Sequence, residues 1–122
     1  MMHGIRLAAF VLTAFAALPA SAQEACNVPY APVLPEGATA NRDQILEMRD
    51  AVSAFITVSD EYQGCLAIYL TQQEEAARRE NREVDGAIRA SLLARADANQ
   101  REKERIGQAF NQAVRAYNQA NE

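Results

Sequence analysis

The sequence predicts an all-α protein: a long antiparallel helical hairpin, coiled-coil-like, with a proline-rich N-terminal arm tethered by a disulfide. Three observations predict it. Ile45, Met48, Val52, Phe55, Ser59, Tyr62, Leu66, Tyr69, Gln73 and Ala76 recur at alternating spacings of 3 and 4, which keeps one narrow helical stripe facing a second helix. Ile88, Leu92, Ala96, Asn99, Lys103, Ile106, Phe110, Ala113, Tyr117 and Ala120 form a second such ladder. The two cysteines, Cys26 and Cys65, fall one in the proline-rich segment and one within the span of the first ladder, beside Leu66.

Residues 1–22 read as a cleaved signal peptide. Met1 to Arg6 form a short basic start, Leu7 to Leu18 an apolar run, and Pro19-Ala20-Ser21-Ala22 places small residues before a cut after Ala22. The apolar run falls short of the roughly 20 residues that a membrane-spanning helix needs, so no membrane insertion is expected. Gln23-Glu24-Ala25 ahead of Cys26 puts a charge where a lipobox would carry a small or aliphatic residue, which argues against acylation. The chain is therefore expected in the periplasm or outside the cell.

Loss of Arg6 with the leader moves the formal charge from −4 to −5 and retains all 16 acidic residues. What remains is about 100 residues, one domain, which buries only about two-thirds of the surface of its unfolded chain. In an oxidising compartment the cysteine pair then reads as a disulfide staple. Redox catalysis is the weaker reading, because no C-x-x-C motif is present.

Residues 23–40 form the arm. Pro29, Pro32 and Pro35 recur every third residue with Tyr30, Val33 and Leu34 between them, the signature of polyproline II. At about 3.1 Å per residue the arm from Cys26 to Ala40 spans about 43 Å, against a rise of about 36 Å for a helix from Asn41 to Cys65. Folding the arm back along the first helix therefore closes the disulfide. Tyr30, Val33 and Leu34 are expected to lie over the helix's apolar flank. A PxxP ligand for an aromatic groove is the functional rival.

Residues 41–122 form the hairpin: helix 1 over about 41–81, a turn over about 82–86, and helix 2 over about 87–120. Asn41 with Gln44 three residues on has capping-box spacing, with Thr39 as the competing cap. Gly64, next to Cys65, is explained by a tight crossing. Glu74 with Arg78 and Glu75 with Arg79 support the exposed face at i, i+4. Asp85-Gly86 is the turn signal. A reversal near residue 84 puts Phe55 and Val58 opposite Phe110 and Ala113, and Tyr62 opposite Ile106. The seam then holds its large residues at the base and thins toward the tip at Gln73, Ala76, Asn99 and Lys103.

That polar half supplies the candidate partner surface, Arg78, Arg79, Arg82, Asn99 and Lys103, within stretches dense in both signs of charge. The alternative is a solvated tip. Polar seam positions weaken a two-helix contact and can recruit a further helix, from another envelope protein or by self-association. Nucleic acid is excluded as a partner by the acidic balance and the lack of a basic stripe.

Parts for catalysis are missing. The one histidine, His3, leaves with the leader, which removes Ser-His-Asp and Cys-His chemistry and imidazole ligands for zinc or haem. Glu47 with Asp50 and Asp60 with Glu61 remain as carboxylate pairs, which on an exposed helix face read as solvated charges. No di-iron Glu-x-x-His, haem-attachment or Gly-rich phosphate motif occurs, and no cofactor or metal is implied. Tyr30, Tyr62, Tyr69 and Tyr117 could line a groove, although aromatic residues at helical spacing read as core.

Cys26 followed by prolines, the run Pro35-Glu36-Gly37-Ala38-Thr39-Ala40, the Tyr62-x-x-Cys65-Leu66 element and the repeat of Phe110-Asn111 as Tyr117-Asn118 together resemble small, uncharacterised secreted helical proteins of Gram-negative bacteria, particularly alphaproteobacteria. The resemblance covers almost the whole chain beyond the leader. It implies a periplasmic helical hairpin with a disulfide-tethered arm and carries no activity. The sequence thus points to a non-enzymatic interaction or structural protein of the envelope. A chaperone-like protein that binds unfolded clients is the alternative, disfavoured because Met48 is the one methionine left after processing.

Overall fold

The structure, a computed structural model, describes residues 26–122. The signal peptide and its cleavage after Ala22 lie outside the described residues. Two long helices, α1 (Arg42–Arg79) and α2 (Gly86–Ala120), pack antiparallel, preceded by an extended arm and a short 3₁₀ turn at Gly37–Thr39. No strand occurs among the described residues.

The start of α1 follows from its cap. The Asn41 side chain accepts from the Gln44 backbone N–H at 2.9 Å, and the Gln44 side chain accepts from the Asn41 N–H at 2.8 Å, so two orphan donors are satisfied reciprocally. Thr39 belongs to the 3₁₀ turn instead. At the other end Arg82 N–H donates to the Ala77 carbonyl at 3.0 Å and Asn81 N–H to the Arg78 carbonyl at 3.1 Å, the Schellman arrangement. Asn81 sits at φ 52, the left-handed conformation that asparagine tolerates better than other non-glycine residues.

Asn81 therefore makes the reversal, and Asp85-Gly86 does not. The Asp85 side chain accepts from Ala87 N–H at 2.7 Å as the N-cap of α2, and Gly86 is already helical with an ordinary φ. Asn81→Ala is expected to cost about 1 kcal/mol in urea unfolding, while Asn81→Gly should leave stability equal or higher.

Register is the main departure from expectation. Ser59 meets Asn99, Tyr62 meets Arg95, and Glu74 meets Arg89. Phe55 packs with Ile106, and Met48 with Ala113. Tyr62 is thus not opposite Ile106 but clusters with Leu66, Leu92 and Cys26, and Val58 is exposed rather than facing Ala113. The cause lies in residues 82–85, which belong to neither helix. A non-helical residue covers about 3.3 Å where a helical one rises 1.5 Å, so α2 begins lower and each α1 residue meets an earlier α2 residue.

The seam positions are otherwise the expected ones. Met48, Val52, Phe55, Ser59, Tyr62 and Leu66 are buried on α1, and Leu92, Asn99, Ile106 and Ala113, one per heptad, on α2. Near the tip the buried residue is Ala77 rather than Ala76, because a 3.6-residue helix drifts away from a 3.5-residue repeat over several heptads. The shifted register also removes the expected thinning at the tip. Leu66, Leu92 and their neighbours Leu70 and Ile88 form an apolar cluster there, and the polar pair Ser59–Asn99 lies mid-hairpin.

The arm runs back along the two helices, bonded through Cys26 to Cys65 with the Cα atoms 5.8 Å apart. Ala31 and Leu34 pack on Phe55, Val52 and Ile106, and Leu34 also on Met48 and Ala113. Tyr30 and Val33 point outward, 93% and 95% exposed, contrary to the expectation that both cover the helix. With three residues per polyproline turn, 31 and 34 share one face and 30 and 33 another, and the disulfide fixes which face is inside. Gly37 then brings the chain onto α2, where an added Cβ would lie 2.0 Å from the Ala113 carbonyl oxygen. Gly37→Ala is expected to lower the melting temperature clearly, since backbone rather than a flexible side chain would have to give way.

Gly64 does not mark a tight crossing. A Cβ there would meet nothing within 4 Å, so Gly64→Ala should stabilise the protein by about 1 kcal/mol in denaturant unfolding.

Candidate interaction surface

The polar residues singled out by the sequence separate into two groups. Arg78, Arg79 and Arg82 sit exposed at the hairpin tip, and Arg78 and Arg82 line a shallow cleft with Glu74, Glu83 and Arg89. Arg79 lies 4.0 Å from Glu75, Arg82 pairs with Glu80, and Arg89 on α2 pairs with Glu74 at 2.7 Å. Arginines and carboxylates alternate here with no region of single sign.

Asn99 and Lys103 do not join that tip. Asn99 is buried in the seam, where its amide donates to the Ser59 hydroxyl at 3.2 Å and its carbonyl accepts from Gln63 at 2.8 Å. The Lys103 side chain is only 17% exposed and pairs with Asp60. Both are engaged between α1 and α2. Such a layer favours one register, because a slip would leave Asn99 buried without partners. Every buried side-chain nitrogen and oxygen among the described residues has a hydrogen-bond partner.

These bridges close one flank of the seam. Gln63 and Asp60 leave α1 on the side away from Cys65, whereas the arm and disulfide cover the other side. On the arm side the Arg95 Nε donates to the Tyr62 hydroxyl at 3.1 Å, with the guanidinium 5.7 Å from the ring centroid. On the arm-side flank of α2, where Glu102 lines a depression with Val28, Pro29 and Arg95, Arg105 donates to both carboxylate oxygens of Glu102, at 2.8 and 2.6 Å. That hydrogen bonding holds the Glu102 carboxyl below the usual range and raises Arg105.

The carboxylate pairs of α1 are exposed, and one member of each is ion-paired. Asp50 accepts from Arg49, Asp60 from Lys103, and Glu47 and Glu61 are exposed. No group of three or more histidine, cysteine, aspartate or glutamate side chains among the described residues could hold a metal ion. The tyrosines form no common groove: Tyr62 is buried, Tyr69 and Tyr117 half-buried, and Tyr30 turned to solvent.

What sequence reasoning missed is the face made by the arm and the adjoining flank of α1. Besides Tyr30 and Val33 it exposes Val28, Val58 and Ile68. Shallow depressions run beside the arm, one lined by Cys26, Gly64, Cys65 and Ile68 and another by Val33, Pro35 and Ala51. Two signals could have found it: the three-residue period of the arm, which separates Tyr30 and Val33 from Leu34, and the absence of any lysine or arginine between Arg49 and Arg78. No helix among the described residues is long and apolar enough to cross a membrane. The chain matches no family model, no curated protein and no solved structure.

Proposed function

We propose that the protein is an exported, non-enzymatic interaction protein of the bacterial envelope, in which a disulfide-stapled helical hairpin of coiled-coil type presents a docking face to another protein. The observation that carries this reading is the outward display of Tyr30 and Val33 from an arm whose other side is anchored by Leu34, Ala31 and the disulfide. Large apolar side chains held at such exposure on an anchored segment contribute little to the chain's own core and suit an interface. The disulfide and the predicted leader support export to an oxidising compartment.

Placing a photo-crosslinking residue on that face tests the reading in cells. Tyr30→p-benzoylphenylalanine is expected to give one or two discrete crosslinked species on illumination. Absence of any crosslink from this position and from Ile68 would contradict it. A continuous smear of products would favour the chaperone-like alternative, which the burial of Met48, only 3% exposed, otherwise disfavours.

A further inference from the structure

We infer that the arm-side flank of α1 is a docking site for a cationic amphipathic helix, an inference that rests on the interaction reading above and names its partner's chemistry. Ala51, Ala54, Val58, Glu61, Cys65 and Ile68 recur at spacings of 3 and 4. This second ladder lies immediately beside the one that forms the seam. A stripe of that period matches the contact line of a further helix. Apart from Cys65, which is bonded to Cys26 and packs on the core, it is open: Val58 and Ile68 are 44% and 62% exposed, and a Cβ on Gly64 would meet open space. Val33 on the arm borders the same flank beside Glu47 and Ala51, and Tyr30, one polyproline turn earlier, is likewise turned to solvent.

Charge selects the partner. Residues 26–41 and 50–77 contain no lysine or arginine. Arg49, which ends the second of these gaps on its N-terminal side, is bonded to Asp50 at 2.8 Å. The depressions between the arm and α1 carry carboxylates only, Glu61 beside Ile68 and Glu47 beside Val33, while Arg95 lies on the α2 side of the arm beside Val28 and Pro29. The basic residues are concentrated instead at the tip and along α2. An apolar stripe edged by unopposed carboxylates is complementary to a helix whose leucine-like stripe is flanked by lysine or arginine, and such complementarity sets orientation and salt dependence. A stretch from Glu47 to Ile68 rises about 32 Å, enough for about six turns of a partner helix.

The test uses the oxidised protein and a labelled, end-capped 21-residue peptide of three Leu-Lys-Lys-Leu-Leu-Lys-Leu repeats, with a glutamate-for-lysine version as control, followed by fluorescence anisotropy. The lysine peptide is expected to bind and the glutamate peptide not. Ile68→Glu, Val58→Glu and the pair Glu47→Lys/Glu61→Lys should each weaken binding by about tenfold or more. Glu104→Lys and Asp97→Lys, on α2, should leave it within about twofold. Circular dichroism confirms that each variant is folded. No binding of the lysine peptide, or equal losses from the α2 variants, would overturn the inference. A concentration-dependent dimer that Ile68→Glu dissociates would assign the flank to a second copy; it would overturn the cationic partner and leave the interaction reading standing. Failure of the Tyr30 and Ile68 crosslinks in cells would instead remove the interaction reading itself.

Discussion

Phe55→Ala is expected to destabilise the protein by about 3–5 kcal/mol, the range for removing a buried phenylalanine ring from a packed core. Phe55 is 3% exposed. It packs with Val52 on its own helix and Ile106 on α2, and with Ala31 and Leu34 on the arm. The long helices on either side limit local collapse, so the cavity should persist. Urea unfolding at constant slope would read the loss as a lower midpoint. A cost below about 1 kcal/mol would mean that the ring does not sit where all three segments meet.

The second large effect concerns the staple. The disulfide closes a loop with a sequence separation of 39, which on the chain-entropy model contributes about 4 kcal/mol by restricting the unfolded chain. Cys26→Ser/Cys65→Ser, or reduction with dithiothreitol, should therefore lower stability by a few kcal/mol. Part of the loss should appear locally, as faster amide exchange at Leu34 and Ala40 than in the helices, because the arm's remaining anchors are few. Melting curves that coincide with and without reductant would contradict the staple. By contrast Tyr30→Ser, at a side chain turned to water, should change stability by no more than about 0.5 kcal/mol.

These expectations rest on features of unequal legibility. The two ladders were readable because burial on a helix facing one partner depends on period alone, and the residues from Met48 to Leu66 and from Leu92 to Ala113 occupy the positions their spacing assigns. The capping box at Asn41 was readable because it is a local arrangement of two side chains three residues apart. Register was not readable, since it depends on how far residues 82–85 carry the chain before α2 begins, and no local pattern records that distance. The same displacement moved Asn99 and Lys103, seam positions in either case, from the supposed tip to mid-hairpin opposite Ser59 and Asp60.

The arm shows the same division. Its extended form follows from three-spaced prolines, but which of its three faces turns inward is decided by the Cys26–Cys65 bond and by the fit of Leu34 among Met48, Val52 and Ala113. Nothing in the local sequence of Gly37 or Gly64 told their surroundings apart. One proves to be a close approach to the Ala113 backbone, the other an open site on a helix flank. Of the candidate surface, the exposed arginines at the tip were visible in sequence. The arm-side face was not, because it exists only once the arm has been laid beside α1.

The account turns on the claim that the chain completes its own core and leaves the arm-side face free. The molar mass of the mature, oxidised protein in solution, by light scattering after size exclusion, tests this most directly. It should equal that of one chain across the micromolar range, with Tyr30→Ser and Ile68→Glu leaving it unchanged. A stable multiple of that mass, reduced to one chain by either substitution, would show that a second copy covers the face and would contradict the account.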